Sequence, residues 1–265
     1  MYNVGVDAPT LTAALCGLPV PQVRYLPVTG STNADALAWA AAGAPDGCLV
    51  VADEQTAGRG RLDRRWYTPP GSALAFSLIL RATPMERPHL GLFSPLAGLA
   101  LWKTLLTYGL PVKIKWPNDV LLNGRKTAGI LAEADWTDAN RPVVVLGLGV
   151  NVRPESVPPQ NLLRFPATCV EVAFGGAVDR LTLLREVLSA FFALRPQLGS
   201  PEMLQIWQRA LAFLGETVYI ENEGQPVKWG VLLGVDATGA LRLKPESGPE
   251  LTIPAGDVSL RPAYP

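Results

Sequence analysis

Residues 111–134 read PVKIKWPNDVLLNGRKTAGILAEA, and they carry the clearest fold signal in the chain. The dipeptide Asn123-Gly124 stands between two apolar runs, which is the strongest short-range pattern for a two-residue β-hairpin turn. Pro117 and the polar residues after it favour a second turn just before the hairpin. The stretch therefore predicts short strands joined by tight turns.

Apolar runs on both sides of this hairpin extend the prediction. Strands are predicted at GCLVVADEQ (47–55), SALAFSLIL (72–80) and the Val-rich VVVLGLGVNV (143–152), whose composition indicates burial on both faces. Helical spacing and end signals predict helices at residues 31–43, 89–111, 180–198 and 202–214, whereas residues 1–25 are weakly patterned. This mixture of strands and helices is typical of an α+β fold.

The sequence changes character at Leu214-Gly215. From Glu216 onward, short alternating runs are separated by turn residues: TVYIE (217–221), WGVLLGVD (229–236), ALRLK (240–244) and ELTIPAGDVSLR (250–261). Such spacing is typical of a small β-barrel. We therefore expect two domains, an α+β domain at residues 1–214 and a β-domain at residues 215–265.

Composition argues against several classes of protein. Of the 265 residues, 48% are hydrophobic, which is enough apolar material for a large core. Lys plus Arg equals Asp plus Glu at 23 each, whereas nucleic-acid-binding proteins usually carry a basic excess. No unbroken apolar run approaches the ~18 residues of a membrane span, and three dispersed cysteines do not form a disulfide framework. We expect a cytoplasmic protein that uses no membrane.

The loop Thr56–Trp66, TAGRGRLDRRW, concentrates positive charge between two predicted strands. It holds four arginines and two glycines, and Asp63 is its only carboxylate. Arginine pairs with phosphate or carboxylate through a planar fork, and glycine lets backbone N–H groups approach an anion. The loop lacks the third glycine of a dinucleotide fingerprint, and the chain has no Walker motif. We expect the loop to hold a small anionic ligand, with a solvated basic loop as the alternative.

Further cations lie in the opening stretch. Lys113 and Lys115 share one face of a predicted strand, although Lys113 also fits a role in protecting a sheet edge. Lys126 follows the hairpin turn and precedes Thr-Ala-Gly129, small residues that leave room for a ligand.

Two glycines lie in the predicted strand that ends in Asn151. Gly147 and Gly149 remove side chains from one of its faces, and glycines inside a strand often mark a closely approaching ligand or backbone. The single histidine, His89, is expected in a loop and not in catalysis. A pocket with glycine walls, fixed cations and no histidine suits phosphoryl or adenylyl transfer, which depends on positioning and charge stabilisation.

Five motifs in this order, followed by a small β-barrel, resemble a biotin protein ligase of the monofunctional type: STN (31–33), ADEQTAGRGR…RRW (52–66), KWPND (115–119), RKTAGIL (125–131) and GLGVN (147–151). The resemblance implies a catalytic domain like that of class II aminoacyl-tRNA synthetases, with a central mixed sheet and flanking helices, and an SH3-like C-terminal barrel. It implies that biotin and ATP form biotinyl-5′-AMP and pyrophosphate, after which the acyl group passes to a lysine of the biotin carboxyl carrier protein of acetyl-CoA carboxylase. Mg²⁺ would arrive with ATP, and no resident metal site is expected.

The resemblance also implies roles for individual residues. Lys126 would contact the biotin carboxylate and the bridging phosphate oxygens, and with Arg61 and Asp119 it is a candidate catalytic residue. Trp66 would form the aromatic wall beside the biotin tail. The residues implied in binding biotin, its activated acyl group or ATP are Ser31, Thr32, Asn33, Gln55, Gly58, Arg59, Gly60, Arg61, Arg64, Trp66, Lys115, Lys126, Gly129 and Asn151.

The loop departs from the family pattern GRGRRGR at Leu62-Asp63. The missing glycine and the added carboxylate predict a stiffer and less positive loop, with retained activity and weaker retention of the adenylate. Asp63→Gly is therefore expected to release adenylate more slowly than the native chain.

Other functions remain as alternatives. A lipoate–protein ligase would use similar chemistry without the glycine-arginine loop. A biotin-sensing repressor would need a DNA-binding domain, for which the roughly 25 residues before the ligase region are too few, so we expect no DNA partner. An RNA-binding module is disfavoured by the zero net charge. The resemblance leaves monomer and homodimer both open.

Overall fold

The computed structural model describes residues 7–138, 142–222, 227–255 and 258–263. Residues 1–6 of the N-terminal segment, and Gly256-Asp257 of the predicted run 250–261, lie outside the described residues.

Seven strands form the larger sheet: β1 (Val23–Thr29), β2 (Leu49–Gln55), β3 (Ala73–Arg81), β4 (Val112–Lys115), β5 (Asp119–Leu122), β6 (Arg125–Asp135) and β7 (Val143–Asn151). Their order across the sheet is β1-β2-β3-β7-β6-β5-β4. β1 pairs parallel with β2, and the other neighbours pair antiparallel, so the sheet is mixed. The predicted α+β class and its mixed central sheet are confirmed.

The predicted hairpin joins β5 to β6. Asn123 and Gly124 both have positive φ angles, 49° and 72°, which is the backbone that this dipeptide favours. All nine residues of β7 are buried, as the Val-rich composition predicts.

Helices cover both faces of the sheet: α1 (Ala8–Ala14), α2 (Thr32–Ala41), α3 (Phe93–Thr107), α4 (Val170–Phe174), α5 (Arg180–Leu194) and α6 (Pro201–Ala210). On one face, α2 packs Ala36 and Trp39 against Val50, Ile79 and Val145. On the other face, α3 and α5 pack together over the main core. Arg87–Thr107 is apolar and long enough to cross a membrane by length and composition, but 61% of its most apolar window is buried inside the fold, as in the core helices of soluble proteins.

Two N-terminal elements, the short helix α4 and several helix ends differ from the predictions. α3 spans Phe93–Thr107 within the predicted 89–111, and α5 ends at Leu194 and not at residue 198. α1 lies within the weakly patterned residues 1–25, and β1 begins there and runs past them. β1 is a partly exposed edge strand containing Pro27, and such strands lack a regular apolar alternation. The last helix ends at Ala210 and not at residue 214, because Ala212 N–H donates to the carbonyl of Ile114 and draws the chain onto β4.

The C-terminal part is a five-stranded antiparallel sheet of β8 (Thr217–Asn222), β9 (Lys228–Val235), β10 (Leu241–Lys244), β11 (Leu251–Ile253) and β12 (Val258–Pro262), in the order β11-β10-β9-β8-β12. This agrees with the predicted SH3-like barrel. It is fixed to the N-terminal part by the Trp116 indole, which donates to the carbonyl of Gly239 at 3.0 Å, and by Gln208 of α6, which donates to the carbonyl of Leu233 at 3.0 Å.

Candidate active site

One row of paired residues crosses the large sheet and brings several predicted site residues together. Lys115 pairs with Asp119, Asp119 with Gly129, and Gly129 with Gly149. Directly paired residues place their side chains on the same face of a sheet. The cationic end of the row therefore lies beside a stretch that two glycines leave without side chains.

Side chains from elsewhere in the chain occupy the space over these glycines. A Cβ atom built on Gly149 would lie 2.2 Å from Trp66 Nε1, and one built on Gly129 would lie 3.1 Å from the same indole. A Cβ atom on Gly147 would lie 2.1 Å from Asn33 Oδ1. The strand glycines thus admit Trp66 and Asn33, and these two side chains, predicted to contact biotin, approach the sheet backbone directly.

The Ser31–Asn33 segment at the start of α2 is buried and tied into a polar network. Gln55 Oε1 accepts from the Thr32 N–H at 2.9 Å and from the Thr32 hydroxyl at 3.1 Å, and Gln55 Nε2 donates to Thr68 Oγ1. The Ser77 hydroxyl lies 2.6 Å from Asn33 Oδ1 and 2.8 Å from Thr32 Oγ1, and donates its one proton to one of them. The network fixes the groups that would meet a polar ring.

Asp119 holds two lysines, one on each carboxylate oxygen. Lys126 Nζ lies 2.6 Å from Oδ1, and Lys115 Nζ lies 3.3 Å from Oδ2. Burial disfavours the charged form of Asp119 and so raises its pKa. The charges of Lys126 and Lys115 have the larger, opposite effect and lower the pKa of Asp119 to about 2. Burial, with the charges of Lys126 and Arg261 adding to it, lowers the pKa of Lys115 to about 8 despite Asp119. Lys126 also lies 5.4 Å from the centre of the Trp66 ring.

A bulge in β6 aims Lys126 at this site. Along a regular strand, alternate residues share a face, so Lys126 would share the core face with Ala128 and Ile130. The register between β5 and β6 shifts between Val120 and Leu121, so that Thr127 is an extra residue without a partner. Lys126 Nζ consequently lies only 3.4 Å from the Cβ position of Gly129, on the ligand side of the sheet.

The arginine loop folds into a small hairpin. Arg59 and Arg65 form an isolated antiparallel β-bridge. Gly60 N–H donates to the Arg64 carbonyl at 2.7 Å, and Arg64 N–H donates to the Arg61 carbonyl at 3.3 Å, which closes the turn. The two turn residues, Leu62 and Asp63, have φ angles of 58° and 53°. Both are therefore in the left-handed region, as in the turn at Asn123-Gly124.

The loop arginines point to different partners. Arg59 forms an ion pair with Glu133 at 2.8 Å, and Arg61 donates to Asn118 Oδ1 at 3.3 Å. Burial, together with the positive charges of Arg261 and Arg164, lowers the pKa of Arg64. Arg64 thus lies among charged groups of both signs, and these include Arg261 of the C-terminal sheet.

Three residues in or beside the site were missing from the predicted set: Glu133, Arg164 and Arg261. Glu133 is the penultimate residue of the stretch 111–134, and its residue type alone does not mark it as part of a site. Arg164 and Arg261 approach Arg64 through tertiary structure, so sequence spacing gives no signal for them.

Asn151 and His89 both contact the backbone of other segments. Asn151 is buried at the end of β7, and its amide donates to the Thr168 carbonyl at 3.1 Å. His89 lies in the short 3₁₀ turn before α3, and its ring packs against the backbone of Gly199. Lys113 is exposed and donates to the Arg209 carbonyl, which fits its role at the sheet edge.

A cleft of about 750 Å³ lies on the side of the loop that faces the C-terminal sheet. Its walls are the arginine loop, the start of α3, the turn Trp116–Asn118, residues 130–133 of β6 and the turn Thr238–Ala240. Lys126 and Asp119 are not part of its lining.

No group of three or more metal-ligating side chains occurs within residues 7–138, 142–222, 227–255 and 258–263. Asp119 lies between Lys126 and Lys115, and both its oxygens are already engaged by these lysines. The site offers charge stabilisation to an anion and no ready-made cage for a metal.

Comparison with known proteins agrees with this geometry. Residues 25–151 match the Biotin/lipoate A/B protein ligase family, and residues 213–261 match the Biotin protein ligase C terminal domain. A biotin--[acetyl-CoA-carboxylase] ligase of Paracoccus denitrificans is 37% identical over 245 residues, which cover 87% of this chain and 97% of the relative. The chain belongs to the biotin protein ligase family.

Other members of the biotin protein ligase family show the same extent of similarity. The biotin--[acetyl-CoA-carboxylase] ligase of Mycobacterium tuberculosis is 36% identical over 248 residues, covering 89% of this chain and 88% of the relative. The biotin protein ligase from Aquifex aeolicus in complex with biotin and ATP superposes with a TM-score of 0.77 at 29% identity, covering 92% of this chain and all of the other. Both parts of this ligase thus have counterparts in the family.

Proposed function

We propose that this chain is an ATP-dependent biotin protein ligase, which forms biotinyl-5′-AMP and transfers biotin to a lysine of a carrier protein. Residues 1–214 would form the catalytic domain and residues 215–265 the barrel domain. The supporting observation is the arrangement of Lys126, Lys115 and Asp119 beside Trp66, on a sheet face that also holds the Ser31–Asn33 segment.

In the first step, a biotin carboxylate oxygen attacks the α-phosphorus of ATP, the new C–O–P bond forms, and the bond to pyrophosphate breaks. Two anions must approach each other, so fixed cations lower the barrier by offsetting their repulsion. Lys126 is the residue proposed to contact both the carboxylate and the phosphate. Arg61 and Arg64 would cover the activated acyl group and the phosphates from the loop.

The role of Asp119 in this step is to hold the lysines. It fixes Lys126 and Lys115 before any substrate arrives, so little reorganisation is needed when the charge develops. Ser31, Thr32, Asn33 and Gln55 would bind the polar ring of biotin, with Gly58, Arg59 and Gly60 supplying backbone and Gly129 supplying space.

In the second step, the carrier's lysine amine attacks the acyl carbon of the adenylate, an amide bond forms, and AMP leaves. The amine loses one proton, which AMP or solvent takes up. Before that attack the adenylate must be protected from water, and a hairpin that covers the site supports this task.

Mg²⁺ is expected to enter on the ATP phosphates, because it binds few protein ligands and retains its waters. The residues present fit this mode, since the buried Asp119 is paired with two lysines. We propose the carrier protein of acetyl-CoA carboxylase as the acceptor, since the relatives' names state that substrate. We also propose a cytoplasmic location, consistent with three free cysteines, and neither DNA nor a membrane as partner.

Exchange of labelled pyrophosphate into ATP tests the proposal. The expected result is exchange that requires biotin, followed by transfer of labelled biotin to a biotin carboxyl carrier domain. Exchange with lipoate and none with biotin would reassign the chain to lipoate chemistry. Absence of exchange with either acid would contradict adenylation itself.

A further inference from the structure

One carboxylate oxygen of Glu133 joins two separate parts of the chain. Glu133 Oε2 accepts from Arg59 Nη2 at 2.8 Å and from Asn33 Nδ2 at 2.7 Å. Arg59 belongs to the arginine loop, and Asn33 belongs to the first turn of α2. The ion pair thus links the loop to the segment proposed to bind biotin.

The strand places Glu133 on the ligand face. Beyond the bulge, β6 alternates regularly, so Gly129, Leu131 and Glu133 share the face on which Trp66 lies. The Leu131 carbonyl accepts from the same Asn33 amide at 3.2 Å. Asn33 is therefore held by two neighbouring positions of one strand.

The link continues into the buried polar network. Asn33 Oδ1 lies against the Ser77 hydroxyl, which in turn contacts Thr32, whose hydroxyl donates to Gln55. Glu133 connects this buried network to the arginine loop. The Glu133 side chain is 27% exposed and that of Arg59 is 42% exposed, so their ion pair lies at the surface. An exposed ion pair alone contributes little. Here the shared oxygen makes the Arg59 contact depend on the position of Asn33.

We propose that Glu133 is a positioning residue that tethers the closed arginine loop to Asn33, so that biotin binding and loop closure favour each other. The proposal rests on the proposed function for the identity of the ligand. A ligand that contacts Asn33 further stabilises its position and that of the Glu133 carboxylate, which holds Arg59. By reciprocity, a closed loop strengthens ligand binding by the same factor.

Limited digestion with trypsin reports on the loop directly, because Arg61-Leu62 is a cleavable bond within it. In Glu133→Gln, the amide oxygen still accepts from Asn33, but the charge that holds Arg59 is lost. Cleavage after Arg61 is expected to be about two- to fivefold faster than in the native chain, the range of a partly exposed ion pair. Biotin is expected to protect the native loop more than it protects the variant loop.

A matched control and a rescue separate tethering from general destabilisation. Glu250→Gln removes a comparably exposed ion pair with Arg242, at 2.6 Å in the C-terminal sheet, and should leave loop cleavage unchanged. Arg59→Lys should retain most of the protection, whereas Arg59→Gln should behave like Glu133→Gln. The double variant Arg59→Gln/Glu133→Gln should be no worse than either single variant.

Functional readouts follow the same logic. In Glu133→Gln, biotinyl-adenylate release should be faster and KM for biotin higher by about the same two- to fivefold, with kcat for pyrophosphate exchange nearly unchanged. Equal loop cleavage and equal adenylate release in the native and Glu133→Gln proteins would refute the tether. A native protein that shows no biotin-dependent exchange would instead refute the proposed function, while the cleavage comparison still decides whether the tether exists.

Discussion

The arginine loop turns through Leu62 and Asp63, of which Leu62 is poorly suited to the left-handed backbone, and replacing it should slow adenylate release. Leu62 and Asp63 have φ angles of 58° and 53°, close to the 49° of Asn123 in the hairpin between β5 and β6. Left-handed backbone costs an ordinary residue roughly 1–2 kcal/mol, and Asn tolerates it better than other non-glycine residues. Leu62→Asn should therefore stabilise the closed loop by about 1 kcal/mol, or about fivefold.

Release of enzyme-bound biotinyl-adenylate measures this stabilisation, because the product escapes from the open loop. Labelled adenylate is formed on the enzyme and chased with unlabelled biotin and ATP. The expected release rate of Leu62→Asn is about one fifth of the native rate, from the free energy above. Asp63→Gly should also slow release, though by less, because the strain that Gly relieves is partly offset by the freedom it adds to the open loop.

Leu62→Ala provides the control. Leu62 is 40% exposed. Alanine removes most of its side chain but keeps a Cβ atom, so the energetic cost of the left-handed backbone remains. If Leu62→Ala slows release as much as Leu62→Asn does, the side chain and not the backbone limits closure, and the reasoning fails. Equal rates for Leu62→Asn and the native chain would refute it as well.

Three further outcomes are expected. Lys126→Met should lower kcat for biotin-dependent pyrophosphate exchange by about 10²–10³, the cost of losing one preorganised electrostatic contact, and a loss below tenfold would remove Lys126 from the catalytic step. In the free enzyme Lys115 loses its proton as pH rises through about 8, so kcat/KM for ATP should fall on the alkaline side; Lys115→Arg, which keeps its charge, should remove that fall over pH 7–9.5. Gly149→Ala should lower the free energy of unfolding by about 1–3 kcal/mol in urea titrations, because the new Cβ atom overlaps the Trp66 indole, and the loss should shrink in a Trp66→Ala background.

Much of the fold could be predicted because its strands and turns carry local signals. β2, β3 and β7 are apolar runs bounded by turn residues, and the Asn123-Gly124 turn has the predicted left-handed backbone. β1 could not be predicted in the same way, because an edge strand that packs on one side needs no regular alternation.

The residues of the candidate site likewise differ in whether they carry a local sequence signal. Lys126, Asp119 and Lys115 carry their signal in short motifs, and the sheet register brings them together. Arg261 reaches the site through packing of a distant segment, so its neighbours in sequence say nothing about it, and the partners of Glu133, Asn33 and Arg59, are likewise distant in sequence. The turn at Leu62-Asp63 was recognised as unusual in sequence, but only the φ angles show that both residues adopt the backbone of an Asn-Gly turn.

The extra residue in β6 explains how one strand serves both the core and the site. Ala128 and Ile130 are buried in the core on one face, and a regular strand would send Lys126 to the same face. An ammonium group placed there would lose its hydration without a partner, at a cost of several kcal/mol. The extra residue Thr127 shifts the alternation of side chains by one position, so Lys126 lies on the opposite face, beside Asp119 and the Trp66 ring. The motif RKTAGIL therefore encodes a change of face as well as a lysine, and a lysine at this position has the proposed catalytic role only together with the bulge that follows it.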